Sequence, residues 1–224
     1  MIKLILFDID DTLVDHKTGA YQAIQRISDL MIRLNYADAL YDFSEFIFSY
    51  EARNHTLWSK FEFGEIDIAT LLKKRFIYIY NWFGVKDSDY EVIEETYWNA
   101  YIENCALKSD WLPLLKQLSS RLPLVICSNG MEAVQRRKLM HTKIFPFFSR
   151  FYFGNRYPDC KPDTHFFTKI LLDFNVQPEN AIMIGDSINN DILPCEKLGI
   201  KTLHYTDFNS FQPIKKILME LTNG

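Results

Sequence analysis

Five short apolar runs punctuate the chain, at residues 2–7, 123–127, 151–154, 181–185 and 201–205, each bounded by turn-forming residues. Runs of this length with little internal alternation predict strands buried on both faces, the habit of a parallel sheet. Between the later runs apolar residues recur at helical spacing, as in Phe166, Phe167, Ile170, Leu171 and Phe174. Strands alternating with helices predict an α/β fold, a Rossmann-like doubly wound parallel sheet with crossover helices. From about Asp15 to Cys105 the pattern changes. Tyr21, Ile24, Ile27, Leu30, Met31 and Leu34, then Leu72, Phe76, Ile79, Tyr80 and Phe83, keep a helical period with Gly84 as a stop, and no strand pattern interrupts them. This predicts a helical insertion, residues 15–105, after the first strand of a core made by 1–14 and 106–224, with hinges at Asp15 to Gly19 and Asn104 to Asp110.

The predicted strands end in chemistry. Asp8 and Asp10 close the first run, in Asp8-Ile9-Asp10-Asp11-Thr12. Alternate residues of an extended segment point the same way, so the two carboxylates can share a pocket, and like charges that close call for a cation to stay ionised together. Ser128-Asn129-Gly130 ends the second run, Lys161 stands in Cys160-Lys161-Pro162-Asp163, and Asp186 and Asp191 follow the run that ends at Gly185. Open α/β sheets bind ligands at the carboxyl ends of their strands, so these loops are expected to converge on one crevice. Taken singly, each has a plain structural reading: a strand-ending turn for Ser128-Asn129-Gly130, helix capping for Asp163, a cap and a first-turn acid for Asp186 and Asp191.

Composition narrows the options. With 224 residues, 48% hydrophobic and 24% charged, the chain can bury a full core. A formal charge of -4 and a pI near 5.8 give no footprint for polymeric nucleic acid and no polybasic membrane signal. No stretch approaches the ~18 apolar residues of a membrane span. Cys105, Cys127, Cys160 and Cys195 are far apart without a CxxC pair, which predicts reduced, buried thiols and a soluble cytoplasmic protein. His16, His55, His141, His165 and His204 show no metal spacing and read as surface or packing residues.

The four motifs, in this order, resemble those of the haloacid dehalogenase (HAD) superfamily over the whole chain. The resemblance implies an α-helical cap of the first class, inserted between the first and second motifs. It also implies a hydrolysis in which Asp8 attacks phosphorus and Asp10 acts as general acid and then base. Ser128, with the amides of Asn129 and Gly130, would grip phosphate oxygens, and Lys161 would offset their charge. Mg²⁺, with Mn²⁺ or Co²⁺ as alternatives, would be held by Asp8, Asp186 and the backbone carbonyl of Asp10, with Asp191 either meeting a metal-bound water or holding Lys161.

Dehalogenases of the superfamily usually lack the second aspartate, so Asp10 disfavours that reaction, while phosphosugar mutases share it. The segment Leu57 to Ile66 with Lys74-Arg75-Phe76, Ser128-Asn129-Gly130 and Gln135 to Leu139 is similar to the bacterial pyrimidine 5'-nucleotidase-like branch, which implies nucleoside 5'-monophosphates as substrates. The run Gly154 to Cys160 departs from the acidic, glycine-containing loop of that branch. The alternatives are a sugar-phosphate or phosphoglycolate phosphatase, a mutase, and a binding module on a HAD scaffold. Roughly half of the aromatic residues lie between Tyr36 and Tyr101, among them Phe43, Phe46, Phe48, Phe61, Phe63, Tyr97 and Trp98. Most are expected to pack the insertion. Asn54, His55, Trp58 and Lys60 are the choices for leaving-group contacts. Monomer and homodimer both stay open.

Overall fold

The computed structural model describes residues 1–108, 111–206 and 208–222. Five parallel strands, β1 (Leu4–Phe7), β2 (Leu124–Ser128), β3 (Arg150–Phe153), β4 (Ala181–Gly185) and β5 (Lys201–His204), form one sheet in the order β3-β2-β1-β4-β5. The three central strands are buried at every residue, whereas the edge strands β3 and β5 carry Arg150, Lys201 and Thr202 and are partly exposed. That is why the central runs read as continuous apolar tracts.

Alternate side chains serve opposite faces of the sheet. Leu4, Leu6, Val125, Cys127 and Met183 pack against Phe166, Phe167 and Ile170 of α7 (Thr164–Phe174). Opposite them, Phe7 meets Trp111 of α5 (Trp111–Ser119) edge to face at 5.7 Å, and Trp111 meets Phe211 at 5.0 Å. The buried Trp111 indole also donates to the Thr12 carbonyl at 3.1 Å, so this core residue anchors the loop after β1. Its truncation to alanine costs about 3–5 kcal/mol.

The chain forms two compact units, Met1–His16 with Ala106–Gly224, and Lys17–Cys105. The second consists of α1 (His16–Arg33, entering at Lys17), α2 (Ser44–Glu62), α3 (Ile68–Phe83) and α4 (Tyr90–Glu103). Asp67 caps α3 by accepting from Thr70 N at 2.7 Å, and Gly84 ends it in the left-handed conformation that glycine adopts most readily. Phe46, Phe61, Phe76 and Tyr97 are buried as expected, but Phe48 and Phe63 are exposed to 76% and 80%. Helical spacing alone did not separate the two groups, because both sit among apolar neighbours in sequence. Residues 16–19 of the first expected hinge are the opening turn of α1. In the second, Asp15 N bonds to Ala106 O at 2.8 Å and Val14 pairs with Leu107, while Ser109 and Asp110 lie outside the described residues. Among the described residues no helix is long and apolar enough to cross a membrane.

Candidate active site

Asp8 continues β1 by one residue, its amide donating to Ile184 O at 2.9 Å. This fixes the carboxylate between the ends of β2 and β4. Lys161 reaches it from the loop after β3: its amine donates to Asp8 Oδ1 at 2.7 Å and to Asp191 Oδ1 at 2.6 Å, and all three side chains are buried. Asp191 lies within a wide π turn, Ile188–Ile192, and takes the Ser187 amide on its other oxygen at 3.1 Å. The Asp191 carboxylate lies so close to Gly185 that a Cβ there would come within 2.3 Å of it, so glycine at the end of β4 is a condition of the site. Asp186, the next residue, accepts from the buried Thr12 hydroxyl at 3.3 Å.

One oxygen each of Asp8, Asp186 and Asp191 lies within 4.8 Å of the others. Three carboxylates against one ammonium leave two negative charges, the deficit that a divalent cation cancels. The pKa directions agree. Burial, foremost, and then Asp191 and Asp11 push Asp186 up to about 6. Burial likewise raises Asp8, with the neighbouring carboxylates adding and Lys161 opposing. Burial would lower Lys161, but Asp191 and Asp8 outweigh it and the amine stays protonated. The donor set fits a hard cation with oxygen ligands. Asp8 and Asp186 are the members with least commitment elsewhere, since both oxygens of Asp191 are bonded to protein.

Asp10 belongs to a second network. Lys138 of α6 (Glu132–His141) donates to its Oδ1 at 2.5 Å, and Gln135 donates to its Oδ2 at 2.7 Å. Gln135 also reaches Ser128 Oγ at 2.7 Å, tying the first motif to the second. Burial would raise Asp10, but the Lys138 charge, then His16, then hydrogen bonds from Lys138 and Gln135 bring it down to about 2. Asn129 and Lys161 join their loops reciprocally: Asn129 Nδ2 donates to Lys161 O at 2.7 Å, and Lys161 N donates to Asn129 Oδ1 at 2.9 Å. The Gly130 amide turns back to Ser128 Oγ at 3.2 Å. The Asn129 side chain thus holds the two loops in place, and any phosphate contact from it falls to its backbone amide.

Sequence reasoning assigned no role to Gln135, Lys138, Thr12 or His204. Gln135 and Lys138 are three apart on one helix and share a face, the available signal, but a lysine there reads as solvated. His204 Nε2 is 2.8 Å from the Asp186 carbonyl, so this histidine helps to hold the fourth motif. In the cap unit, Asn54 and Trp58 are half-buried on α2, Trp58 edge-on to Phe61 at 5.7 Å. His55 is exposed, and so is Lys60, which pairs with Glu65 at 3.7 Å.

This geometry is matched by family comparison: haloacid dehalogenase-like hydrolases match over residues 2–199, and the chain belongs to that family. It is 27% identical to the pyrimidine 5'-nucleotidase PynA of Streptococcus pneumoniae, over 91% of this chain and 83% of that protein. It is 28% identical to a glyceraldehyde 3-phosphate phosphatase of Pyrococcus abyssi, over 92% and 82%. Among solved structures, the magnesium-bound HAD-hydrolase YfnB of Bacillus subtilis superposes with a TM-score of 0.78 at 22% identity, covering 96% of this chain and 99% of that one.

Proposed function

We propose that the protein is a Mg²⁺-dependent phosphomonoester hydrolase of small phosphometabolites, with nucleoside 5'-monophosphates as its preferred substrates. The observation that carries the reading is the Asp8–Lys161–Asp191 triad beside Asp186, with Asp10 held apart on Lys138. Asp8 attacks phosphorus, the bond to the leaving oxygen breaks, and an aspartyl-phosphate forms. Asp10 gives a proton to the departing oxygen, then takes one from the water that hydrolyses the intermediate. Lys138 holds Asp10 ionised, the form the second step needs; an arriving phosphate dianion favours the protonated form that the first step needs. Lys161, Ser128 and the Asn129 and Gly130 amides face the phosphate charge. Asp8, Asp186 and the Asp10 carbonyl would hold Mg²⁺, or Mn²⁺ or Co²⁺ in its place, which when bound would supply the positive charge that lets carboxylate and phosphate approach.

The nucleotide preference rests on the cap segment around Trp58 and Gly64 and on the likeness to PynA, with Asn54 and Trp58 as leaving-group contacts. Four buried cysteines far apart in sequence suit a reducing, cytoplasmic setting. A second reading, a small phosphosugar as substrate, is favoured by the similar identity, 28% against 27%, to the Pyrococcus enzyme. A phosphate-release screen separates them. Pyrimidine nucleoside 5'-monophosphates are expected to exceed hexose phosphates, phosphoglycolate and glyceraldehyde 3-phosphate in kcat/KM, and Trp58→Ala is expected to reduce that margin more than it reduces turnover of p-nitrophenyl phosphate. Sugar phosphates ahead of every nucleotide would reject the nucleotidase reading and leave the phosphatase chemistry standing.

A further inference from the structure

Arg75 lies on α3 inside the cap, buried to within 6% of its surface, and its Nε and Nη2 atoms have no hydrogen-bond partner. Its guanidinium stands over the rings of Tyr97, Trp98 and Phe76 at 4.7, 5.1 and 5.6 Å. The groups that bear on it electrostatically are Tyr50, Tyr97 and Tyr101, with no carboxylate among them. Two further buried polar atoms of the same unit have no well-formed hydrogen bond: the Tyr50 hydroxyl, whose nearest polar neighbours are the guanidinium and Tyr97, and Asn54 Oδ1. Tyr50 and Asn54 are four residues apart on α2 and so share a face, and α2 packs on α3.

Burying a cation without an anion is costly, and aromatic faces offset only part of that cost. A core designed for stability alone would place an apolar side chain here. The unmet groups have a definite pattern. The Nε/Nη2 edge of a guanidinium is a pair of parallel donors, made for two acceptors side by side. Asn54 Oδ1 is an acceptor and asks for a donor. A carboxylate or phosphate would satisfy the guanidinium but offers Asn54 nothing. Uracil presents an N–H between its two carbonyl groups, so a guanidinium meets a donor there. Cytosine presents an amino donor, a ring nitrogen acceptor and a carbonyl acceptor in succession.

We infer that Arg75 and Asn54, with Tyr50 beside them, form a recognition site of the cap for a planar ring edge that sets two adjacent acceptors beside one donor, the edge of cytosine. The inference rests on the nucleotidase reading and sharpens it to cytidine 5'-monophosphate. Arg75 and Asn54 are then specificity residues, and the unmet charge is kept for the ligand at some expense of stability.

The test compares kcat/KM for cytidine and uridine 5'-monophosphates and for p-nitrophenyl phosphate, in the wild type, Arg75→Met, Arg75→Lys and Asn54→Leu, together with thermal melts. A bidentate pair is worth a factor of about ten or more between bases, so the wild type is expected to favour the cytidine nucleotide over the uridine one by about tenfold. Arg75→Met and Asn54→Leu are expected to bring that ratio to within about threefold of unity, with at least about tenfold more loss on the cytidine nucleotide than on p-nitrophenyl phosphate. Arg75→Lys keeps the charge but not the fork, and is expected to leave the ratio collapsed. Arg75→Met is expected to melt no lower than the wild type. A wild type that does not distinguish the two nucleotides, an Arg75→Met protein that keeps their ratio, or a ratio restored by lysine overturns the inference. Failure of the nucleotidase reading shows in the wild type alone, as sugar phosphates outrunning both nucleotides.

Discussion

Among the described residues three cations are buried, and the two units treat them in opposite ways. In the core, Lys161 lies between Asp8 and Asp191 and Lys138 lies on Asp10. In the cap, Arg75 has aromatic rings for company and two donors unmet. A buried ion pair holds its members in one geometry, and removing either partner strands the other. A buried cation with no anion holds nothing in place; it is a capacity still to be used. The core is therefore organised before substrate arrives, as catalysis by fixed charges requires. The cap retains unmet groups, which the proposed recognition of a base would use.

The largest effect that sharpens this contrast is expected from Lys161→Met. Loss of the ammonium leaves Asp8 and Asp191 facing each other in a buried site, at a cost of about 3–5 kcal/mol. Turnover is expected to fall by about 10³-fold or more. Urea melts and p-nitrophenyl phosphate assays read both, and a variant as stable and active as the wild type would break the picture of a core held by paired charge.

Next comes the metal. Asp186, raised to about 6 in the folded chain, holds its proton more tightly there than when unfolded. In EDTA its contribution therefore favours the native state below the unfolded carboxylate pKa and is lost as pH rises through about 6. Mg²⁺ needs the ionised group, so the gain in melting temperature on adding Mg²⁺ is expected to be larger at about pH 7.5 than at about pH 5. Asp186→Asn should shrink the gain at both. Equal gains at the two pH values would remove Asp186 from the metal site.

The smallest effect concerns Lys138→Met. If this amine positions Asp10 for proton transfer, kcat is expected to fall by about tenfold to a hundredfold for alkyl phosphates and by clearly less for p-nitrophenyl phosphate, whose leaving group needs little protonation. Lys138→Arg should recover part of the loss. A loss equal across leaving groups would assign Lys138 to folding alone.

The core was legible in the sequence because its chemistry sits where strands end, and central strands of a parallel sheet cannot hide their apolar character. The order of Asp8, Ser128, Lys161 and Asp186 then followed from the order of those ends. Lys138 and Gln135 were not legible, since α6 carries Val134 and Leu139 on the same buried side as two polar residues and its apolar stripe is too thin to mark an inner face. Asn129 illustrates another limit: a strand-ending asparagine gives no sign that its side chain will bind a backbone 32 residues away. In the cap, helical spacing placed Phe46 and Phe76 in the interior but also promised Phe48 and Phe63, which face solvent. Arg75 was visible only as part of a resemblance. That its donors are unmet is a property of three helices packed together, which no local pattern encodes.

The central claim is that Asp8 carries the covalent step, and turnover of p-nitrophenyl phosphate by Asp8→Asn in saturating Mg²⁺ tests it most directly. The variant keeps the size of the side chain and a hydrogen-bond acceptor for Lys161. Its melting temperature should stay near that of the wild type while turnover falls by about 10³-fold or more. Wild-type turnover, from protein whose intact mass shows no deamidation back to aspartate, would contradict the account.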